Sequence, residues 1–467
     1  MTVSNSSPSI DNIAEHLARF AVELNGSELP QPIWLKSIHH IIDTIGLAFA
    51  AHCYPFAAPG LAGIAAVSGT GEASVVGSSL RLSARDAAMA NGYLMHGLDF
   101  DDTHPASIVH PTVACLPTAL ALGETHDLSW GQLIAAYVAG METCIRLGQS
   151  VNGGFHHSGF HATGLLSHFS AAVVAGKLLG LSVDGLVEAQ GIAASTSAGV
   201  QVFLEDGAWT KRLHPGWGAM AGITAAHLVQ NGFAAPRRPY EGRFGFFETH
   251  MQAHLPDVDL ASIVQGLGSR WAMLDTSIKP YPVCHFIHGC AEAAMRLHAK
   301  LDSDARIARI VCELPAQTLP IVAEPALAKA LPQSDYEGKF SAPFVVAVCL
   351  LKGRFGLAEL EDTSLTDPKT LALAKRVTCI EEKNSPFPLH FSGAVTVELE
   401  TGQVHSCRVP INLGSGERAL TCEDIVSKFH GTAGVVLSPK RVAELLETLL
   451  AITPQCSVRE TMKLLRA

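Results

Sequence analysis

Between His96 and Thr112 the chain reads HGLDFDDTHPASIVHPT, three Asp and three His in one helix-to-loop segment. Asp99, Asp102 and Thr103 are spaced i, i+3, i+4, so a continuing helix would put them on one face. His104 and His110 follow in a Pro-containing loop. Carboxylates beside imidazoles suit general acid–base chemistry, because histidine changes charge near neutral pH and a neighbouring Asp sets its orientation and basicity. His and Asp also bind metals, but neither an H-E-x-x-H helix nor an EF-hand loop is present, and no metal is expected.

Three further clusters add to this set. HHSGFHATG carries His156, His157 and His161, and His161 directly precedes a long apolar stretch whose helical N-terminus would face an anion. WTKRLHPGWGAM places Lys211, Arg212 and His214 directly ahead of a helix rich in small residues. It is a local concentration of cation in a chain whose formal charge is −10. SIKPYPVCHFIHGC brings Lys279, Tyr281, Cys284, His285 and His288 together. Nothing local marks Cys284 as a low-pKa thiol, and it reads as a packing residue. GTGEAS, from Gly69, lacks the third glycine and the following helix of a dinucleotide loop.

The elements that must position these groups are mostly helical. Apolar residues recur at helical spacing from Ile10 through Leu24 behind a Ser9 cap, and again over 33–51, 84–98, 130–149, 162–179 and 217–230. GIAASTSAGV (191–200) and similar small-residue runs point to closely packed helices in a dense bundle. EASVVGSSLRLS (72–83) is a strand-like break. After residue 268 the pattern changes: ARIARIVCELPA (305–316) reads as strand, FSGAVTVELETGQVHSCRVP (391–410) as a hairpin turning at Thr401-Gly402, and FSAPFVVAVCLLKG (340–353) as helix. Helices return from Thr421 to Leu465. The expected architecture is mainly α with an inserted α+β domain: an all-helical domain of residues 1–268 and 411–467, and an α+β domain of 269–410.

Composition bounds the function. Of 467 residues, 48% are hydrophobic and only 16% charged, so part of the surface is expected to be covered by a second copy of the chain. Negative charge without a Lys/Arg block argues against nucleic acid as a partner. Eleven cysteines without a C-x-x-C pair imply reduced thiols. No signal-peptide pattern and no long apolar run are present, so the expectation is a cytoplasmic protein with no membrane partner.

Taken in order, NGYLMHGLDFDDTHPASIVHPT, GFHATG with its helix, KRLHPGWGAMAG followed by EGRFGFF, KPYPVCHFIH, GKFSAPFVVAVCLL and the closing DIVSKF resemble the MmgE/PrpD family over essentially the whole chain. The resemblance implies a large all-helical domain with a smaller α+β lid, a homodimer, and neither metal nor organic cofactor. It implies a small di- or tricarboxylic acid substrate and one of three activities: 2-methylcitrate dehydration, cis-aconitate decarboxylation or iminodisuccinate epimerisation. All three make or quench charge on a carbon next to a carboxylate. Carried over by position, the family's catalytic residues fall on Asp99, Thr103, His110, His161 and Lys211, with the loop before His110 one residue longer. Arg212, Lys279, Cys284, His285 and Phe344 are the expected substrate-binding residues. Cys284, with His285 beside it, stands where the decarboxylases carry a lid histidine, and Phe344 where they carry a tyrosine. On this reading Lys211, helped by Lys279 and Arg212, holds carboxylates. One of His110 and His161 removes a proton and the other returns one, Asp99 orients a histidine, and Thr103 binds substrate or holds its loop. The expected activity is a lyase of the 2-methylcitrate dehydratase type. The alternatives are an epimerase of a substituted succinate, a cis-aconitate-type decarboxylase, or a non-catalytic dimer.

Overall fold

A computed structural model describes residues 12–302 and 304–467. The first helix, Ile13–Glu23, is capped by Asn12, whose side chain accepts from the Glu15 amide; Ser9, the expected cap, lies outside the described residues. The chain then builds a helical domain around Ala162–Leu178, a helix whose first fifteen residues are all buried. An element apolar or small all round must be enclosed on every side. Here Trp130–Gln149, Pro111–Thr125, Val183–Thr196 and Thr210–Gln230 enclose it. The last of these comes closest: a Cβ on Gly218 would lie 2.3 Å from Ser167 Oγ, and one on Gly222 2.5 Å from the Ala171 backbone. The break at 72–83 is two short antiparallel strands, β1 (Thr70–Ser74) and β2 (Arg81–Leu82).

Two starts and stops differ from expectation. The helix Ala84–His96 ends at Gly97, and Asp99 turns the chain with φ 52°. Asp99, Asp102 and Thr103 therefore lie in a loop and not along one helical face. Lys211, Arg212 and His214 are not ahead of the small-residue helix but inside it, since it begins at Thr210. Pro215, near its start, removes one backbone donor without ending the helix.

The smaller domain is a four-stranded sheet in the order β4–β3–β5–β6, formed by β3 (Ile307–Leu314), β4 (Val377–Glu381), β5 (Gly393–Leu399) and β6 (Val404–Val409). The β5–β6 hairpin turns at Gly402, whose φ of 86° suits glycine. β4 joins β3 in parallel, and helices His288–His298 and Ala342–Lys352 pack against the sheet. Two apolar cores result. One draws on residues 13–278 and 425–465, the other on Phe203 and residues 283–409. The fold is mainly α with an inserted α+β domain. All eleven cysteines are free thiols. Among the described residues no helix is long and apolar enough to cross a membrane.

Candidate active site

The loop that follows His96, the N-cap of helix Ala162–Leu178, the first turn of helix Thr210–Gln230 and the 276–288 segment converge on one cavity of about 70 Å³. Asp99, Thr103, His110, His161, Lys211, Lys279, Cys284 and His285 all line it. Thr103 and Ser277 hold the loop to the 276–288 segment there by backbone hydrogen bonds in both directions, 2.8 Å each. Two long helices start at the wall, with His161 as N-cap and Lys211 as second residue, so their dipoles favour an anion in the cavity.

Asp99 is the charge centre. Its Oδ1 lies 2.9 Å from Lys211 Nζ and 3.0 Å from Lys279 Nζ, and Lys279 also donates to the Asp99 carbonyl at 2.7 Å. Burial by itself would raise this carboxyl, but the two ammonium groups, with His110 and His96 behind them, hold it well below the ordinary range. Two cations thus share one carboxylate, leaving an excess positive charge in a buried wall, suited to a substrate carboxylate.

His110 is held by a different acid from the one expected. Its Nδ1 lies 2.9 Å from the Asp102 carbonyl oxygen and 3.2 Å from Asp101 Oδ2, both acceptors. Nδ1 must therefore carry the proton, leaving the Nε2 lone pair free, 3.8 Å from Asp99 Oδ1. Asp101 Oδ2 also accepts from His96 Nδ1 at 2.9 Å, so one buried carboxylate orients two imidazoles. Burial pushes His110 down to about 4 although Asp101 opposes the shift, and it is neutral and basic in form at pH 7. Burial opposes ionisation of Asp101 as well, but the two imidazoles keep its carboxyl far below the usual range. Asp102 differs. Burial raises it to about 8, and its side chain is committed to Thr112, with Oγ1 at 2.6 Å.

His161 faces the same cavity, its ring centroid 6.2 Å from that of His110. Its Nδ1 is 2.9 Å from Nδ1 of His214, and burial, with His214 and Lys211, keeps it neutral. His285 comes from the smaller domain. The Phe391 amide occupies Asn412 Oδ1, so Asn412 presents its NH₂ to His285 Nε2 at 2.9 Å. That places the His285 proton on Nδ1, a buried donor with no partner among the described residues. Cys284 lines the wall, its thiol pushed up by burial, consistent with an unreactive packing role.

Two expected binding residues are elsewhere. Arg212 follows Lys211 by one position, roughly 100° around the helix, and points away from the cavity. Its guanidinium lies 4.4 Å from the Phe56 ring centroid and 3.3 Å from Asp335 Oδ2. Phe344 is fully buried in the second core, edge-on to Phe355. Phe340, one helical turn earlier in the chain, takes the cavity wall, with Lys211 Nζ 5.1 Å from its ring centroid. Asp101, His96, Asn412, Gln201 and Phe203 also build the site, although no motif gives them a role. Asp101 and His96 sit in the same motif as Asp99, and only side-chain direction separates their roles. Nothing in the sequence brings Asn412 to His285.

The ligand atoms of His96, His110 and His161, and separately of Asp99, Asp101 and His110, lie within 4.8 Å of one another, close enough to hold a metal ion. Asp101 already orients two of these imidazoles, as in histidine–metal sites. Against a cation stand Lys211 and Lys279, whose charge is committed to Asp99 at the same place.

The family model for the MmgE/PrpD N-terminal domain matches residues 15–259, and that for the MmgE/PrpD C-terminal domain matches residues 281–452. The chain is 25% identical to the cis-aconitate decarboxylase-like protein oryM of Aspergillus oryzae, over 100% of this chain and 99% of that protein. It is 28% identical to human cis-aconitate decarboxylase, covering 82% of this chain and 80% of the relative. It is 26% identical to 2-methylcitrate dehydratase of Cupriavidus necator, covering 88% of each. With both domain models matched in order and the two-domain architecture in place, the chain belongs to the MmgE/PrpD family.

Proposed function

We propose that this protein is a lyase that works with side chains alone on a small di- or tricarboxylic acid, removing water next to a carboxylate in the manner of a 2-methylcitrate dehydratase. The observation that carries the reading is His110. Its Nδ1 proton is committed to Asp101 and the Asp102 carbonyl, so its Nε2 lone pair faces the cavity in which two lysines share one carboxylate. The α-proton of a carboxylate is weakly acidic, and its removal needs a base together with a sink for the developing charge. His110 supplies the base. Lys211 and Lys279 bind a substrate carboxylate and stabilise the charge, and the Nδ1–H of His285 adds a donor from the lid. His161, neutral and across the cavity, hydrogen-bonds the departing hydroxyl, which leaves as water with the proton that His110 has taken up. The helical unit of residues 1–268 and 411–467 carries both histidines, and the lid of 269–410 brings Lys279 and His285 to them. The active form is a homodimer in the cytoplasm.

Decarboxylation of a cis-aconitate-type acid is the second reading, favoured by the names of several relatives. It needs a charge sink and an acid but no base, so a tautomer-locked His110 serves it less directly. A panel of 2-methylcitrate, citrate, cis-aconitate and substituted succinates, followed by proton NMR in heavy water, separates the readings. A new alkene signal on water loss supports dehydration. Loss of carbon dioxide from cis-aconitate establishes the second reading, and deuterium entering an α-position without net conversion an epimerase. Lys211→Ala is expected to lower kcat/KM by at least about a hundredfold. Near-normal turnover by a folded Lys211→Ala protein would remove Lys211 from the mechanism.

A further inference from the structure

Helix Ala84–His96 stops at Gly97, and the residues that follow, Leu98, Asp99 and Phe100, are buried in loop. Their carbonyls need donors that no helix supplies. Three lysines supply them in succession. Leu98 O accepts from Lys339 Nζ, Asp99 O from Lys279 Nζ at 2.7 Å, and Phe100 O from Lys428 Nζ at 2.8 Å. Lys339 closes helix Asp335–Lys339, and Lys428 lies within helix Cys422–Ala433. They stand 241 and 328 residues along the chain from the carbonyls they bind. These are the lysines of GKFSAPF and DIVSKF, two motifs to which the chemistry above gives no part.

Burying them is costly. Lys339 is fully buried, and among the described residues no carboxylate lies within ion-pair reach of it; burial pushes it down to about 7. A buried cation without an acid costs more than one carbonyl hydrogen bond returns, so stability alone does not account for it. Lys428 has Asp43 Oδ1 at 2.7 Å and lies 3.8 Å from the Phe100 ring centroid, gripping that residue by backbone and side chain together.

What the two hold between them is Asp99. Its φ of 52° is a left-handed conformation that an aspartate tolerates without preferring. With the peptide oxygens pinned before and after it, the turn cannot relax, and Asp99 Oδ1 stays 2.9 Å from Lys211 Nζ and 3.0 Å from Lys279 Nζ. We propose that Lys339 and Lys428 are positioning residues for Asp99: by holding the carbonyls on either side of it, they fix where its carboxylate gathers Lys211 and Lys279, and so where a substrate carboxylate binds. This rests on the carboxylate-binding reading of Lys211 and Lys279 above and adds two residues to it.

The test uses Lys339→Met and, so that no lone carboxylate is left buried, Lys428→Met combined with Asp43→Asn. Should one fail to fold, the other carries the test. Each is read by crystal structure, by calorimetric binding of tricarballylate (a tricarboxylate with no hydroxyl to lose), and by turnover of whichever acid the panel above identifies. Asp99 Oδ1 is expected to leave hydrogen-bond reach of Lys211 or Lys279. KM and the tricarballylate Kd are expected to rise about tenfold or more in folded protein. Lys177→Met is the control. Lys177 Nζ also holds two carbonyls, Ala21 O at 2.6 Å and Leu24 O at 2.7 Å, but at the opposite end of helix Ala162–Leu178 from His161. Its loss is expected to lower Tm with KM and Kd unchanged, which is all that a purely structural lysine would do. An unmoved Asp99, or a KM and Kd equal to wild type in the folded variants, would overturn the proposal. Wild-type protein that binds no tricarballylate would overturn the carboxylate-binding reading instead. The position of Asp99 in the variants would then decide by itself whether the two lysines place it.

Discussion

Asp99 and Asp101 are two residues apart and do opposite work. Asp99, expected to orient a histidine, is bound by Lys211 and Lys279 and so fixes the positions of the two ammonium groups. Asp101 orients the histidines instead, accepting from His96 and His110 with one oxygen. It touches neither cavity nor substrate and acts as a positioning residue through His110. In Asp101→Asn, kcat is expected to fall roughly a hundredfold with KM changing much less, because a mis-set tautomer harms the proton transfer and not carboxylate binding. The pH profile adds a signature that loss of packing would not produce. His110 is basic in form above about 4, so activity is lost as pH falls through that value. Asp101 favours the protonated imidazole, and removing its charge should move the acid limb of kcat/KM, corrected for substrate ionisation, to lower pH. An unmoved limb together with an unchanged kcat would remove Asp101 from the mechanism.

At the scale of elements, the site depends on how closely helix Thr210–Gln230 approaches helix Ala162–Leu178, since each delivers a site residue at its start. Gly218 and Gly222 make that approach, and a Cβ on Gly222 would meet the Ala171 backbone at 2.5 Å. Two effects of Gly222→Ala oppose each other. Helix propensity favours alanine by about 1 kcal/mol, whereas backbone atoms at that distance must move, at a cost of about 1–3 kcal/mol or more. The neighbour here is backbone and cannot rotate aside, so the second effect is expected to win. A lower urea midpoint with an unchanged m-value would show it. A higher midpoint would mean that the helices can separate without penalty.

The whole molecule presents an apolar face near the start of the same helix. Trp209, Leu213 and Val67 line one shallow groove, and Trp217 lies one turn beyond Leu213. Val67 is 77% exposed and Trp217 46%, unusual for large apolar side chains clustered on one face of a single chain. A homodimer that covers this face accounts both for the exposure and for the low charged fraction. Sedimentation velocity at micromolar concentration is expected to show a dimer, and Trp217→Asp to shift it toward monomer. A monomeric wild-type protein at that concentration would leave the face without its expected cover.

What the sequence by itself determined is what depends on local pattern. Helix Trp130–Gln149 and the β5–β6 hairpin follow from apolar periodicity and turn chemistry, and the change of character near residue 268 is visible in composition. The ordered motifs name the family, and with it Asp99, His110, His161 and Lys211 as residues of one site. The tertiary structure decided which way each side chain points and which distant segments meet. Arg212 and Lys211 are adjacent in sequence, yet a rotation of one helical position sends one to the cavity and the other to Asp335. Phe344, expected at the substrate, faces the second core, and Phe340, to which no motif gave a role, lines the cavity. The motif containing Asp99, Asp101 and Asp102 ends its helix at Gly97, so helical spacing carries no information about which carboxylate faces which partner. Charge state follows burial and neighbours brought in from far along the chain: Lys279 reaches Asp99 across 180 residues of sequence and Asn412 reaches His285 across 127, contacts that only the tertiary fold makes.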